Sequence, residues 1–376
     1  MKIAILGAGM VGRTMAIDLC ARYEVTSFDI SVASLAILTA KESRVKTVVA
    51  DLGDYGNYGN LLAGFDFVIT AVPGFMGYKT LEAVIMAGKN VADISFFPEN
   101  SLDLDALAKE KNVTAIVDCG VAPGMSNYII GYHNSKMEIS SFECMVGGLP
   151  KNRIKPWEYK APFSPIDVIE EYTRPARMME NGRIVTKPAL SESELIDFDP
   201  AGTLESFNTD GLRSLLFTMS HIPDMKEKTL RYPGHIDLIK SMIKGGFFST
   251  DIININGVEI SPLEFSSAVL INQWKSKHDE EEFTIMKIRV KGLENGEEVE
   301  YVYDLYDVKD ISSGLSSMSR TTGYTCTASL ELIINGLFQE KGVFPPELVG
   351  GKGECFPFVM EYLRARGVHY GVSINQ

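Results

Sequence analysis

The chain has 376 residues, with 36 basic and 49 acidic side chains, a net charge of −13, 45% hydrophobic residues and 23% charged ones. That length exceeds one ordinary core and suits two domains. An acidic surface repels phosphate backbones, and no basic run offsets it, so nucleic acid is not expected as a partner. The five cysteines, Cys20, Cys119, Cys144, Cys326 and Cys355, are odd in number and widely spaced. This fits neither a disulfide framework nor a zinc site and points to a reducing cytoplasm. The five histidines are scattered as well, so no protein-bound metal is expected. MKIAILGAG lacks the parts of a signal peptide, and no apolar run is long enough for a bilayer, so no membrane association is expected.

In chain order, KIAILGA reads as a strand ended by glycine, and MVGRTMAIDLCA follows with helical spacing. EVTSFDI (strand), SVASLAILTA (helix), VKTVVADL (strand), FDFVITAVP (strand), GYKTLEAVIMAG (helix), NVADIS (strand), LDLDALAKEK (helix) and TAIVDCG (strand) continue the alternation. A further helix is expected after VADL, across the glycine-rich DYGNYGN. Such alternation predicts βαβ units around a parallel sheet, whose strands are apolar throughout because helices cover both faces. After about residue 130 the pattern changes. SSFECMVGGL reads as a strand, and the proline-bearing KNRIKPWEYKAPFSP as a loop. FTIMKIRVKGL and EEVEYVYDLYDV alternate about the turn ENG, an antiparallel hairpin. A long helix is expected from SSMSR through ASLELIINGLF, capped by serines, and a last one over CFPFVMEYLRARG after Pro345-Pro346. The expected fold is α/β. Residues 1–129 form a Rossmann dinucleotide-binding domain and 130–345 an α+β substrate and dimerisation domain. Residues 346–376 form a C-terminal helix returning to the Rossmann domain.

GAGMVG places Gly7, Gly9 and Gly12 in G-x-G-x-x-G spacing, with Met10 and Val11 at the start of the helix. The first glycine makes the tight turn, the second lets the backbone approach a pyrophosphate, and the third packs helix on strand. The helix N-terminus supplies free N–H groups to the anion. The acid at the end of the next strand, Asp29, is 22 residues past Gly7, placed to accept from a ribose 2′-OH and to repel a 2′-phosphate. Ile30-Ser31-Val32 offers no cation, which favours NAD over NADP. Ligands bind at the carboxyl ends of such strands, so Asp51 and Leu52 are expected at the adenine side. Ala71, Val72 and Pro73 are expected by the pyrophosphate, with Asp93, Ser95, Cys119 and Gly120 toward the nicotinamide. Helix capping or loop bonding is the other reading of Asp93 and Asp118.

The chain resembles the saccharopine dehydrogenase-like family, and within it the L-lysine 6-dehydrogenase branch. The motifs run in order: GAGMVG, DISFFPE, DCGVAPGMSN, GGLP, IEEYTRPAR with NGR, FNTDGLRSLL, TLRYPGH, SSMSRTTGY and PPELVG. Saccharopine reductases of this appearance carry a cysteine just before their GGLP-like segment. Here Val146 stands there, with Cys144 two residues earlier. The resemblance implies a homodimer or higher homo-oligomer that oxidises an amino acid at its amine-bearing carbon. In lysine 6-dehydrogenation hydride leaves the ε-carbon, the imine hydrolyses with loss of ammonia, and the semialdehyde cyclises onto the α-amine.

Such a substrate needs an anchor and a base. A carboxylate suits a bidentate guanidinium, and Arg231 in KTLRYPGH is the first choice, with Arg213 and Arg174 as alternates. Asp210 would pair with the α-ammonium or hold an arginine in place. A buried structural ion pair is the other reading of these residues. Gly147-Gly148 is expected to form a loop closing over substrate. Three groups are candidate bases for an ammonium proton: Asp118, Lys160 and Tyr159. Two other functions stay open. One is a saccharopine or carboxynorspermidine-type dehydrogenase, which would need a second cation near the reacting end. The other is a non-catalytic NAD-binding sensor, which loss of the polar residues facing nicotinamide would support.

Overall fold

A computed structural model describes residues 1–161, 165–276 and 280–375 of the chain. Two compact units emerge, Met1–Glu138 with Met318–His369, and Ile139–Ser317 with Tyr370–Gln376. The expected boundaries at 129/130 and 345/346 therefore differ from these units, and the long helix Ser317–Ile334 falls almost wholly in the first.

The first unit begins β1 (Lys2–Leu6), α1 (Met10–Leu19), β2 (Glu24–Asp29), α2 (Val32–Lys41) and β3 (Lys46–Val49). The expected helix over DYGNYGN is one short 3-10 turn, Tyr55–Asn57, running into α3 (Tyr58–Leu62). Its glycines lose more freedom in a helix than other residues, which keeps it brief. β4 (Phe67–Thr70), α4 (Gly74–Met86), β5 (Asn90–Asp93), α5 (Asp105–Glu110), β6 (Thr114–Ile116) and α6 (Met125–Asn134) follow. The strand expected over TAIVDCG stops at Ile116, leaving Val117 to Gly120 as the loop at its carboxyl end. The sheet order is Gly342–Phe344, β6, β5, β4, β1, β2, β3. All its pairings are parallel. β1 lies between β2 and β4, so the connections diverge there and open a crevice above its carboxyl end. Ile3, Ala4, Ile5 and Leu6 are fully buried, as a centre strand covered on both faces must be.

The C-terminal helix Cys355–Arg364 returns to this unit as expected. Asp18 on α1 fixes it, accepting from Tyr362 Oη at 2.7 Å and Arg366 Nε at 2.6 Å. Thr327 of the long helix donates to the same carboxylate at 2.7 Å.

The second unit is a mixed nine-stranded sheet. The strand Glu138–Pro150 pairs parallel with Asp224–Arg231, and the other registered pairs are antiparallel. The hairpin expected about ENG is present, Glu282–Glu294 against Glu297–Val308. Asn295 and Gly296 at its tip have φ of 55° and 86°, the left-handed pair a tight hairpin turn demands. Helices Pro165–Thr173, His235–Lys244 and Pro262–Trp274 cover one core, which holds Tyr159, Tyr172, Phe207, Leu230, Ile236 and Trp274. Of the loop KNRIKPWEYKAPFSP, residues 162–164 lie outside the described residues. Among the described residues no helix is long and apolar enough to cross a membrane, and no cluster of potential metal ligands forms.

Candidate dinucleotide and active site

The glycine motif sits at the carboxyl end of β1, where the sequence put it. Gly7 has a φ of +115°, and a Cβ there would lie 2.3 Å from the Ala71 carbonyl oxygen. A Cβ on Gly12 would lie 2.1 Å from the Gly7 carbonyl oxygen. Gly7, Gly12 and Ala71 are thus pressed together backbone to backbone. Gly9 is different: nothing lies within 4 Å of where its Cβ would be. It caps α1 without a side-chain hydrogen bond, and the first turn carries no acid. The result is an open cradle of helix N–H groups of positive character, which fits a dinucleotide pyrophosphate.

Asp29 ends β2 beside this cradle. Its Oδ2 accepts from Ala8 N–H at 2.6 Å and its Oδ1 from Ser31 N–H at 2.7 Å. The two backbone donors hold the carboxylate next to the motif, as a ribose contact requires. Ile30 and Met10 are exposed beside it. Asp51 turns back on itself, accepting from Gly53 N–H at 2.8 Å, and Leu52 is buried. Val72 is buried, and Pro73 is exposed at the N-cap of α4. One residue that sequence reasoning passed over joins them. Arg13, directly after GAGMVG, donates from Nη1 to the Ala8 carbonyl at 2.7 Å. Its place next to the motif was visible in sequence; its nearness to Asp29 was not.

At β5 and β6 the strand ends gather a buried carboxyl cluster. Asp93 is fully buried. Its Oδ1 accepts from the Thr70 hydroxyl and, at 3.1 Å, from Ser95 N–H, while Oδ2 has no partner. The Cys119 N–H reaches the Asp93 carbonyl at 3.0 Å, which joins the end of β5 to the loop after β6. Burial pushes the Asp93 carboxyl up to about 7. The Thr70 and Ser95 bonds oppose that rise, and the Asp118 charge adds to it. Asp118 itself is buried with a φ of 54°, a left-handed conformation that is uncommon outside glycine and concentrated at functional sites. Ser95 is buried with an unpartnered hydroxyl. Cys119 is buried near Cys326 of the long helix, whose thiol burial raises well above its usual range. Gly120 lies in the same loop, accepting from Met125 N–H at the start of α6.

The residues expected to anchor substrate all lie in the second unit, and there the structure corrects several expectations. Arg231 is buried, and four of its donors meet neighbours in its own unit. Nε donates to Tyr172 Oη at 2.9 Å and Nη1 to the Leu230 carbonyl at 3.0 Å. Nη2 meets Tyr159 Oη at 3.4 Å and the Glu171 carboxylate at 2.8 Å. The guanidinium also stacks over the Tyr159 ring, 4.4 Å from its centroid. The fork expected to clamp a free carboxylate already holds a resident one. Asp210 does not stand open for an ammonium either. Its two oxygens take Arg177 Nε at 2.9 Å and Nη2 at 2.8 Å, a bidentate pair with an arginine the sequence had not singled out. Arg174 pairs with Glu170 one turn away, and Arg213 is buried with a φ of 46°.

The expected Gly147-Gly148 loop is instead part of the strand Glu138–Pro150. A Cβ on Gly147 would lie 2.8 Å from the Leu230 carbonyl oxygen, so the glycine serves close strand packing rather than a lid. Tyr159 is buried, and desolvation pushes its phenol well above the usual range. Lys160 Nζ donates to the Gln273 carbonyl at 2.8 Å and faces the Glu280 carboxylate at 3.6 Å. His235 completes this core, bonded to Tyr172 Oη at 2.9 Å, and burial next to Arg231 drops its imidazole to about 3.

Comparison with known proteins agrees with this architecture. Over 380 residues the chain is 23% identical to the carboxyaminopropylagmatine dehydrogenase of Synechocystis sp., covering 92% of each chain. It is 24% identical over 217 residues to the mitochondrial alpha-aminoadipic semialdehyde synthase of Rattus norvegicus. That match takes in 54% of this chain but only 23% of the relative, so the chain spans under a quarter of that protein. The solved structure of apo saccharopine dehydrogenase (L-Glu forming) from Saccharomyces cerevisiae superposes over 100% of both chains with a TM-score of 0.80 at 18% identity, a shared fold. Residues 3–116 match the saccharopine dehydrogenase NADP binding domain and residues 117–368 the saccharopine dehydrogenase C-terminal domain. Together the two run nearly end to end, and the chain belongs to the saccharopine dehydrogenase family.

Proposed function

We propose that the protein is an NAD-dependent dehydrogenase acting on an amine-bearing carbon of an amino acid. The preferred reaction is oxidation of L-lysine at the ε-carbon to the 6-semialdehyde, which cyclises to piperideine-6-carboxylate with release of ammonia. One observation carries this reading. The carboxyl edge of the parallel sheet has a 2′-OH-type carboxylate, Asp29, beside an open glycine cradle, and a buried acid pair, Asp93 and Asp118, at its other end. Bound there, the nicotinamide supplies the hydride acceptor. The chain's own work is to orient the dinucleotide through Gly9, the α1 N–H groups and Asp29, and to accept an ammonium proton at Asp118. Val146, in place of a cysteine before GGLP, supports the lysine branch over a saccharopine reductase. The reading includes a homodimer in a reducing cytoplasm, and the five free cysteines, all buried, are in keeping with that setting.

A second reading is a dehydrogenase of carboxyalkylated polyamines. It draws support from the relative of that kind matched over nearly its whole length. A spectrophotometric screen separates the two. Purified protein with NAD, and in parallel NADP, is offered L-lysine, L-ornithine, saccharopine, short diamines and a carboxyaminopropyl amine. NADH from lysine with ammonia as co-product supports the first reading. Turnover of the carboxyalkyl amine but not lysine replaces it with the second.

A further inference from the structure

The distal stretch of the first unit reaches back to the loop that carries Asp118. α6 follows that loop, and backbone bonds tie its first turn into it. Met125 N–H donates to the Gly120 carbonyl at 3.0 Å, and Ser126 N–H to the Val121 carbonyl at 3.3 Å. Against α6 lies the short helix Pro346–Gly350. A Cβ on Gly131 would lie 2.2 Å from the Glu347 carbonyl oxygen, and one on Gly350 would lie 2.3 Å from the Tyr128 carbonyl oxygen. The two helices therefore meet backbone to backbone. Asn127 and Glu347 are both buried at this contact. Asn127 Oδ1 accepts from Gly124 N–H at 3.2 Å and from the Ser126 hydroxyl at 3.0 Å, and its Nδ2 donates to Glu347 Oε2 at 2.9 Å. One amide thus holds the end of the loop on one side and a carboxylate 220 residues away in sequence on the other.

Glycine contacts already pack the two helices, and burying an amide and a carboxylate between them is costly unless their hydrogen bonds are made. What such a buried polar pair adds is a single arrangement where apolar packing tolerates several. The arrangement it sets here is that of loop 117–124, which holds Asp118 in its left-handed conformation and passes the Cys119 N–H to the Asp93 carbonyl at 3.0 Å. We propose that Asn127 and Glu347 are positioning residues, through which the distal helix fixes the loop so that Asp118, Cys119 and Gly120 face the nicotinamide half of the cofactor. The inference deepens the reading of Asp118 as proton acceptor and rests on it. Neither residue touches cofactor or substrate; both act through the loop. A displacement of about 1 Å at a reacting group costs on the order of 100-fold in rate, so a loop released from Asn127 loses turnover before it loses ligand binding.

The test compares the full chain as wild type, as Asn127→Leu and as the double variant Asn127→Asp/Glu347→Gln, with thermal melts to check folding. Leucine fills the place of the amide and removes its hydrogen bonds. The double variant keeps the acceptor for Gly124 N–H and reverses the bond to the distal helix, the glutamine amide now donating to the new carboxylate. Three readouts are taken: ADP-ribose affinity by calorimetry, fluorescence of bound NADH, and turnover of NAD with L-lysine. Asn127→Leu lowers kcat by about 100-fold with KM within about threefold. It also shifts the fluorescence of bound NADH, while ADP-ribose, which lacks the nicotinamide, binds as in wild type. The double variant recovers kcat to within about tenfold of wild type. Should Asn127→Leu fail to fold, Asn127→Ser, whose hydroxyl is too short to reach Glu347, makes the same comparison. Equal loss of ADP-ribose and NADH binding, an unchanged kcat, or a double variant no better than Asn127→Leu overturns the inference and leaves the dehydrogenase reading intact. Wild type that binds NADH but leaves lysine untouched overturns the lysine reading alone, and the NADH fluorescence set against ADP-ribose affinity then decides the inference. Wild type that binds neither ligand overturns both.

Discussion

Replacing Asp93 with asparagine should change how stability depends on pH, by an amount the structure sets. The folded carboxyl titrates near 7 against an ordinary 3.8. Between those values the unfolded chain has lost the proton and the folded chain still holds it. The folded state therefore binds more protons, and stability falls as pH rises through that window. At roughly 1.4 kcal/mol per unit, the whole window is worth about 4 kcal/mol, fully present below the unfolded pKa and gone above the folded one. Asparagine resembles the protonated acid. Its oxygen can still accept from Thr70 and Ser95, and its amide occupies the place of Oδ2, which has no partner now. His235 has the opposite slope, because its imidazole is depressed to about 3 and stability there is lost as pH falls. Both chains carry that histidine, so it cancels in their difference. Urea unfolding of wild type and Asp93→Asn at intervals from pH 4 to 8 isolates the effect. Asparagine should gain on wild type by up to about 4 kcal/mol across the series. Parallel profiles, offset by a constant, would refute the claim that a buried carboxyl titrates at this strand end.

Two other substitutions probe separate parts of the molecule. Gly12→Ala drives a Cβ to 2.1 Å from the Gly7 carbonyl, and neither backbone can yield freely. A loss of about 1–3 kcal/mol in thermal or urea unfolding and weakened binding of the nicotinamide dinucleotide are expected, whereas an unaffected chain would refute the close β1–α1 contact. Arg231→Met removes one ionic contact of Glu171 and one donor to Tyr172 inside the second unit, at a cost of about 3 kcal/mol. If instead stability holds and only the KM for substrate rises, Arg231 is a substrate ligand after all and the Glu171 pair is incidental.

The parallel-sheet architecture was legible because its signals are local. Apolar runs such as IAIL alternate with helical spacing, and GAGMVG falls between a strand and a helix, as the fold requires. The hairpin about Asn295-Gly296 was legible for the same reason. What sequence could not show was which distant residues meet. Arg13 and Asp29 are 16 positions apart and share Ala8 only through the turn at the end of β1. Arg231 and Glu171 are 60 apart, so the fork's internal partner was hidden and an external one was inferred. Gly147-Gly148 looked like a loop because glycine weakens strands. The backbone of Leu230 passes too close for any side chain, and that demand is set by a neighbouring strand. Asp93 was recognisable as an acid at a strand end, but its burial, and with it the shift of its carboxyl, depends on Thr70 of the adjacent strand and on Asp118.

The first unit is assembled from two separate stretches of the chain, Met1–Glu138 and Met318–His369, and this bears on the order in which it can form. The edge of its sheet beyond β6 is closed by Gly342–Phe344, which pairs with Thr114–Ile116. The intervening stretch, Ile139–Ser317, belongs to the second unit. On the ribosome the β1–β6 sheet can assemble while β6 still presents unpaired backbone groups, and it must wait for roughly two hundred further residues before that edge is covered. Over that interval the nascent Rossmann sheet is open to edge pairing with another chain.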